Sequence, residues 1–149
     1  MKLEHEIKQP KFRNEYHKLA VNLIYTYNWF AKAQTELFRK HDITGNQFNI
    51  LRILRGQHPN AATVSLLRDR MLDKMSDASR LIERLRVKGL VKRELSQDDR
   101  RRVDVLITDK GLNLLSEIDK MNDHYDELLK KLSSAEAKKM NILLDKLRG

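Results

Sequence analysis

The stretch SDASRLIERLRVKGLVKRELSQDDRRRVDVLITDKG, residues 76–111, changes its apolar period twice, and those changes decide the fold. Before Gly89, Ala78, Leu81, Ile82 and Leu85 recur at helical spacing, which predicts an amphipathic helix over residues 75–88 with Gly89 as its C′ residue. Residues 90–95 and 103–108 then read as short strands, the second placing Val103, Val105 and Ile107 on one face. Between them SQDDRRR, residues 96–102, is a polar turn carrying three consecutive arginines near a hairpin tip. From Lys110 the helical spacing returns.

Upstream, Thr44 with Gln47 three residues later forms a capping-box signature, opening a helix that buries Phe48, Leu51 and Leu54 and stops at Gly56. Pro59-Asn60 turns the chain before a short helix over residues 64–71. A longer helix over residues 12–39 carries Leu19, Leu23, Tyr27, Phe30, Leu37 and Phe38. Downstream, Leu112, Leu115, Ile118, Tyr125, Leu128, Leu129 and Leu132 form one long stripe. Ser133 or Ser134 then caps a last helix expected to bury Met140, Leu143, Leu144 and Leu147. The expected class is mainly α with a small β-hairpin wing, in one domain of 149 residues. Residues 44–108 form a winged helix-turn-helix. The stripes over residues 12–39 and 110–147 are too long for a monomer of this size to cover, which marks them as dimerisation helices.

Composition removes whole classes of function. With no Cys there is no disulfide framework, thiolate zinc site, cysteine nucleophile or thiol-based redox sensor. No run approaches the roughly 18–20 apolar residues of a membrane span. MKLEHEIKQP has charges where a secretory leader needs an apolar core, so the expected compartment is the cytoplasm. The five glycines are isolated, so no phosphate-cradling loop exists, and the five histidines never fall at i, i+3 or i+4. Asp98-Asp99 sits among arginines, where ion pairing is the ordinary role of a carboxylate. The reading is therefore no enzyme, no metal and no cofactor.

The net charge of +9 is concentrated: residues 68–102 carry 12 basic against 7 acidic side chains, whereas residues 103–149 carry 8 against 9. In a helix-turn-helix the second helix enters the major groove of DNA. Here its solvent side offers Ser76, Ser79, Arg80 and Arg84 as candidate DNA contacts. Arg100, Arg101 and Arg102 would enter the adjacent minor groove or meet phosphate, with Asp99 as an ion-pair partner that aims an arginine. A basic helical protein docking on an acidic partner or a membrane surface is the competing reading. It explains the charge but not the placing of arginines at a hairpin tip behind a basic helix.

TGNQFNILRIL (44–54), TVSLLRDRM (63–71), SDASRLIERLRVKGLV (76–91) and DRRRVDVLITDKG (99–111) together resemble the MarR family of bacterial transcription regulators. The resemblance covers about half the chain, and its most specific part is the Asp-x-Arg wing followed by Thr-x-Lys-Gly. It implies a homodimeric winged-helix repressor or activator, a pseudo-palindromic double-stranded operator, no membrane, and often a small-molecule effector. Asp99 matches the family's wing aspartate, Arg101 its minor-groove arginine, and Ser76, Ser79, Arg80 and Arg84 its recognition-helix contacts. Arg68 and Leu72-Asp73-Lys74 depart from the family pattern, and Asp73 is expected to cap the recognition helix. For an effector, Tyr25, Trp29, Phe48 and Leu51 are the candidate wall, although the same aromatics serve equally well as helix packing.

Overall fold

A computed structural model describes residues 2–96 and 103–149, with only the backbone of residues 122–125. The element order is α1 (Leu3–Glu6), α2 (Glu15–Arg39), α3 (Gly45–Gln57), β1 (Ala62–Thr63), α4 (Val64–Arg70), α5 (Ala78–Val87), β2 (Val91–Leu95), β3 (Val103–Ile107), α6 (Asp109–Asp119), α7 (Asn122–Leu129) and α8 (Ser134–Arg148). The expected fold class, mainly helical with a small hairpin, is therefore observed.

Local chemistry sets most of the boundaries. The Thr44 hydroxyl accepts from the Gln47 N–H while the Gln47 side chain accepts from the Thr44 N–H, so both halves of the capping box form. Asn14 caps α2 by accepting from the His17 N–H, which moves the helix start from the expected residue 12 to Glu15. Ser133, rather than Ser134, caps α8 and forms a second box with Glu136. Gly89 ends the recognition segment at φ +70°, where a β-carbon is disfavoured.

The core lies inside the winged unit. Ile50, Leu51 and Leu54 of α3 share one buried cluster with Leu67, Met71, Ile82, Leu85, Val105, Leu115 and Ile118. Each such side chain contributes about 1.5–3 kcal/mol on full burial. β2 pairs antiparallel with β3, Val91 opposite Ile107 and Leu95 opposite Val103. On the other edge of β3, Ala62 and Thr63 add a third strand opposite Val105 and Asp104. Two residues are too few for any period to show, so this strand was not foreseeable.

One element was not expected, and two expectations need correction. A short helix, α1, precedes α2 and is tied to it: the Glu4 carboxylate is 2.5 Å from Lys18 Nζ, and the Tyr25 hydroxyl donates to Glu6 at 2.8 Å. The long stripe after Lys110 is two helices, because α6 stops at Asp119 and α7 begins at Asn122. At that break Asp119 receives Arg55 of α3 at 2.5 and 3.3 Å, fastening the winged unit to the C-terminal helices. Finally, no residue of α8 is fully buried within one chain: Leu144 is half-buried, but Met140, Leu143 and Leu147 are exposed, Leu143 to 55%.

Candidate nucleic-acid interface

α4, the turn after it and α5 make the helix-turn-helix. Thr63 caps α4 by accepting from the Leu66 N–H, and Leu67 and Met71 anchor it in the core. Ala78, Ile82 and Leu85 turn one face of α5 inward, which leaves Ser79, Arg80 and Arg84 exposed on the other. Asp77 caps α5 by accepting from the Arg80 N–H at 3.0 Å. The expected start at residue 75 and the expected cap, Asp73, are therefore both displaced: the helix begins at Ala78.

Asp73 instead holds the turn. One of its oxygens accepts from the Met75 N–H at 3.0 Å; the other accepts from the Ser76 hydroxyl at 2.6 Å and the Asn46 amide at 3.0 Å. Asn46 also donates to Ser76 Oγ at 2.6 Å, and Asn49 accepts from the Leu72 N–H at 2.8 Å. These bonds, led by that of Ser76, lower the Asp73 pKa from its ordinary value. Ser76 thus lies ahead of the recognition helix rather than on it, half-buried, with its proton given to Asp73. Asn46 and Asn49 were missed by the sequence reading. Their only signal was an i, i+3 pair of amides on the polar side of α3.

The charges on α5 divide into two groups. Glu83 pairs with Arg86 at 2.8 Å and faces Arg93 of β2 at 3.5 Å, a network that lowers the Glu83 pKa, chiefly through Arg86. Arg80 and Arg84 make no side-chain hydrogen bond or ion pair among the described residues and stand exposed. The C-terminal end of α5 is fixed by Lys88, which bonds to the Asp42 carbonyl and lies 3.1 Å from its carboxylate. The segment therefore presents two free guanidinium groups on a helix held at both ends, a geometry suited to phosphates and base edges. Asp98, Asp99, Arg100, Arg101 and Arg102 lie outside the described residues; the strands that carry them are paired up to Leu95 and Val103.

The proposed effector wall is not brought together. Leu51 is fully buried in the core at 0% exposure. Tyr25 and Trp29 line a cleft near α1 that also contains Leu3 and Glu6. Phe48 lies in a different and larger cleft of about 760 Å³, between α2, α3 and the recognition turn, with Tyr27, Phe38, Arg52, Asn46 and Asp73. There Phe38 and Phe48 stack at 4.6 Å and the Arg52 guanidinium lies 5.8 Å from the Phe48 ring. Among the described residues no cluster of His, Cys, Asp and Glu is arranged to hold a metal. Nor is any helix among them long and apolar enough to cross a membrane.

Residues 41–102 match the sequence model of the MarR family. The HTH-type transcriptional regulator MgrA of Staphylococcus aureus is 31% identical over 112 residues, covering 75% of this chain and 74% of that protein. A MarR transcription factor from Planctomyces limnophilus superposes with a TM-score of 0.69 at 29% identity, over 91% of this chain and 98% of that one. A mutant MarR from E. coli, complexed with operator DNA, gives a TM-score of 0.79 at 25% identity, over 92% and 98%.

Proposed function

The chain belongs to the MarR family of transcription regulators, and on that premise we propose that it is a sequence-specific double-stranded DNA-binding repressor. It acts as a homodimer on a pseudo-palindromic operator. The observation that carries this reading is the pair of free arginines, Arg80 and Arg84, on a helix whose entry turn is clasped by Asp73 and whose exit is fixed by Lys88. An acidic protein partner or a membrane surface would need the charge but not the fixed helix. The E. coli relative crystallised on operator DNA supports the same assignment. In the complex Ser79 and Arg80 face base edges and Arg84 meets phosphate, while Arg100, Arg101 and Arg102, aimed by Asp99, follow the wing into the minor groove. Ser76 contributes by holding the turn.

Dimerisation is supported by the apolar side chains that one chain leaves in water. Leu19 and Trp29 of α2, Leu129 of α7, and Met140, Leu143 and Leu147 of α8 are exposed. A second copy would cover them, as permanent dimers do. Selection of bound duplexes from a random-sequence pool tests the DNA reading. A two-fold symmetric sequence should be enriched, and an unenriched pool overturns the reading.

A small aromatic acid is the effector class favoured by the larger cleft, which combines the Phe38–Phe48 stack with the Arg52 cation. The same cleft is lined by Asn46 and Asp73, so a ligand there touches the clasp that sets the recognition turn. To release DNA it must bind the DNA-incompetent form better, and DNA must weaken ligand binding by the same factor. A panel of aromatic carboxylates assayed for both effects tests this; a panel that moves neither leaves a constitutive regulator.

A further inference from the structure

Met75 is 94% exposed, the most exposed of the large apolar side chains among the described residues. Its backbone is nevertheless fixed. Its N–H is held by Asp73 at 3.0 Å, and the next residue, Ser76, is bonded to both Asp73 and Asn46. A rigid main chain therefore presents an apolar side chain to solvent two residues ahead of Asp77, the N-cap of α5. In a helix-turn-helix the beginning of the second helix is the part that meets base edges. The apolar group displayed on base edges in the major groove is the C5-methyl of thymine. Methionine suits such a contact, being unbranched and polarizable enough to fit a methyl group without a fixed rotamer. Near it in sequence Arg70, Lys74 and Arg80 are exposed together with Asp69, Asp73 and Asp77, so the choice of DNA over an apolar partner rests on the place of Met75 at the opening of the helix that meets base edges.

Resting on the DNA-binding reading above, we propose that Met75 is a specificity-determining residue that packs against the methyl of one thymine in each operator half-site. Uracil differs from thymine only in lacking that methyl, so replacing one base by the other isolates the contact. The probe is a duplex selected from a random-sequence pool by the wild-type protein, resynthesised with uracil at each thymine in turn. One thymine position per half-site should prove sensitive. Its replacement should weaken binding about fourfold, or about fifteenfold when both half-sites are changed, as expected for the roughly 0.8 kcal/mol of one buried methylene-sized group. Met75→Ala should melt at the wild-type temperature and bind the thymine and uracil duplexes equally. Met75→Leu should keep the preference for thymine. If wild type binds its selected duplex but ignores every uracil, or if Met75→Ala keeps the thymine preference, the inference about Met75 falls while the DNA-binding reading stands. A pool that yields no enriched sequence overturns both.

Discussion

The Thr108 hydroxyl joins two helices through one oxygen: it donates to the Gly89 carbonyl at 2.7 Å and accepts from the Gly111 N–H at 3.2 Å. Gly89 is the residue that ends the recognition segment, and Gly111 lies in the first turn of α6. The end of α5, the helix proposed to face DNA, is thereby fixed to the helix that leads toward the proposed dimer interface. Lys110 strengthens the junction by donating to the Lys88 carbonyl at 2.8 Å, and the Thr108 N–H donates to Leu90 at 3.1 Å. The Thr-x-Lys-Gly sequence is thus a junction whose every named side chain or hydrogen has a bonding or steric reason.

Gly111 is required there for space. A β-carbon would lie 2.4 Å from the Leu90 carbonyl oxygen and 2.7 Å from Ile107 Cγ1. Gly111→Ala should therefore destabilise the protein by about 1–3 kcal/mol, the usual range for overpacking. Thr108→Val, which loses the cap, should cost about 1 kcal/mol. Denaturant titrations of the two variants check both values, and a wild-type midpoint for Gly111→Ala would show that the junction relaxes freely.

Much of this fold was legible because its signals are local. Thr44 with Gln47, Gly89, and the alternation of Val103, Val105 and Ile107 each declare an element within a few residues. What was not legible depends on partners distant in sequence. Asp73 looked like a helix cap; it clasps the turn locally through Met75 and Ser76, and only its bond to Asn46 of α3, 27 residues away, depends on a distant partner. The break after Asp119 falls within a continuous apolar stripe and is marked by a carboxylate facing Arg55, 64 residues away. The candidate effector wall failed for a similar reason. Leu51 and Phe48 are three apart on one helix, yet one points into the core and the other into a cleft.

The arginines should fail in distinguishable ways. Arg80→Ala should cost about 1–3 kcal/mol of binding and relax base preference, as expected for loss of a bidentate contact. Arg84→Ala should weaken binding to cognate and scrambled duplexes alike. In the wing, Arg101→Ala should be more damaging than Asp99→Ala, which removes only its orienting partner. Binding isotherms on both duplexes, with thermal melts as folding controls, separate these outcomes.

Acid should loosen the recognition turn only well below neutrality. The Asp73 pKa is lowered in the folded chain, so the stabilisation it provides is present above its ordinary carboxylate value and is lost as pH falls through the lowered one. Between pH 5 and 8 the clasp should therefore be constant. Carboxyl titration followed by NMR should place Asp73 below the usual range, and Ser76→Ala should bring it back furthest because Ser76 supplies the largest effect.

The proposed dimer is open to a direct charge test. Leu143 and Leu147 are exposed on α8, a helix with no fully buried residue in its own chain. Replacing both with Glu should leave the winged unit folded, since its core is elsewhere, but should drive sedimentation toward the monomer. A double variant that still sediments as a dimer would place the interface on another surface.

Two copies of the chain should present two recognition helices to one duplex, and footprinting of a selected duplex across a salt series reveals whether they do. The predicted result is protection of two half-sites about one helical turn apart, roughly 10 bp, by one dimer. Its affinity should fall steeply and log-linearly as salt rises, because several Lys and Arg contacts per subunit displace counterions. Protection of a single asymmetric half-site, or an affinity unchanged from low to high salt, would overturn two-fold, charge-driven binding to DNA.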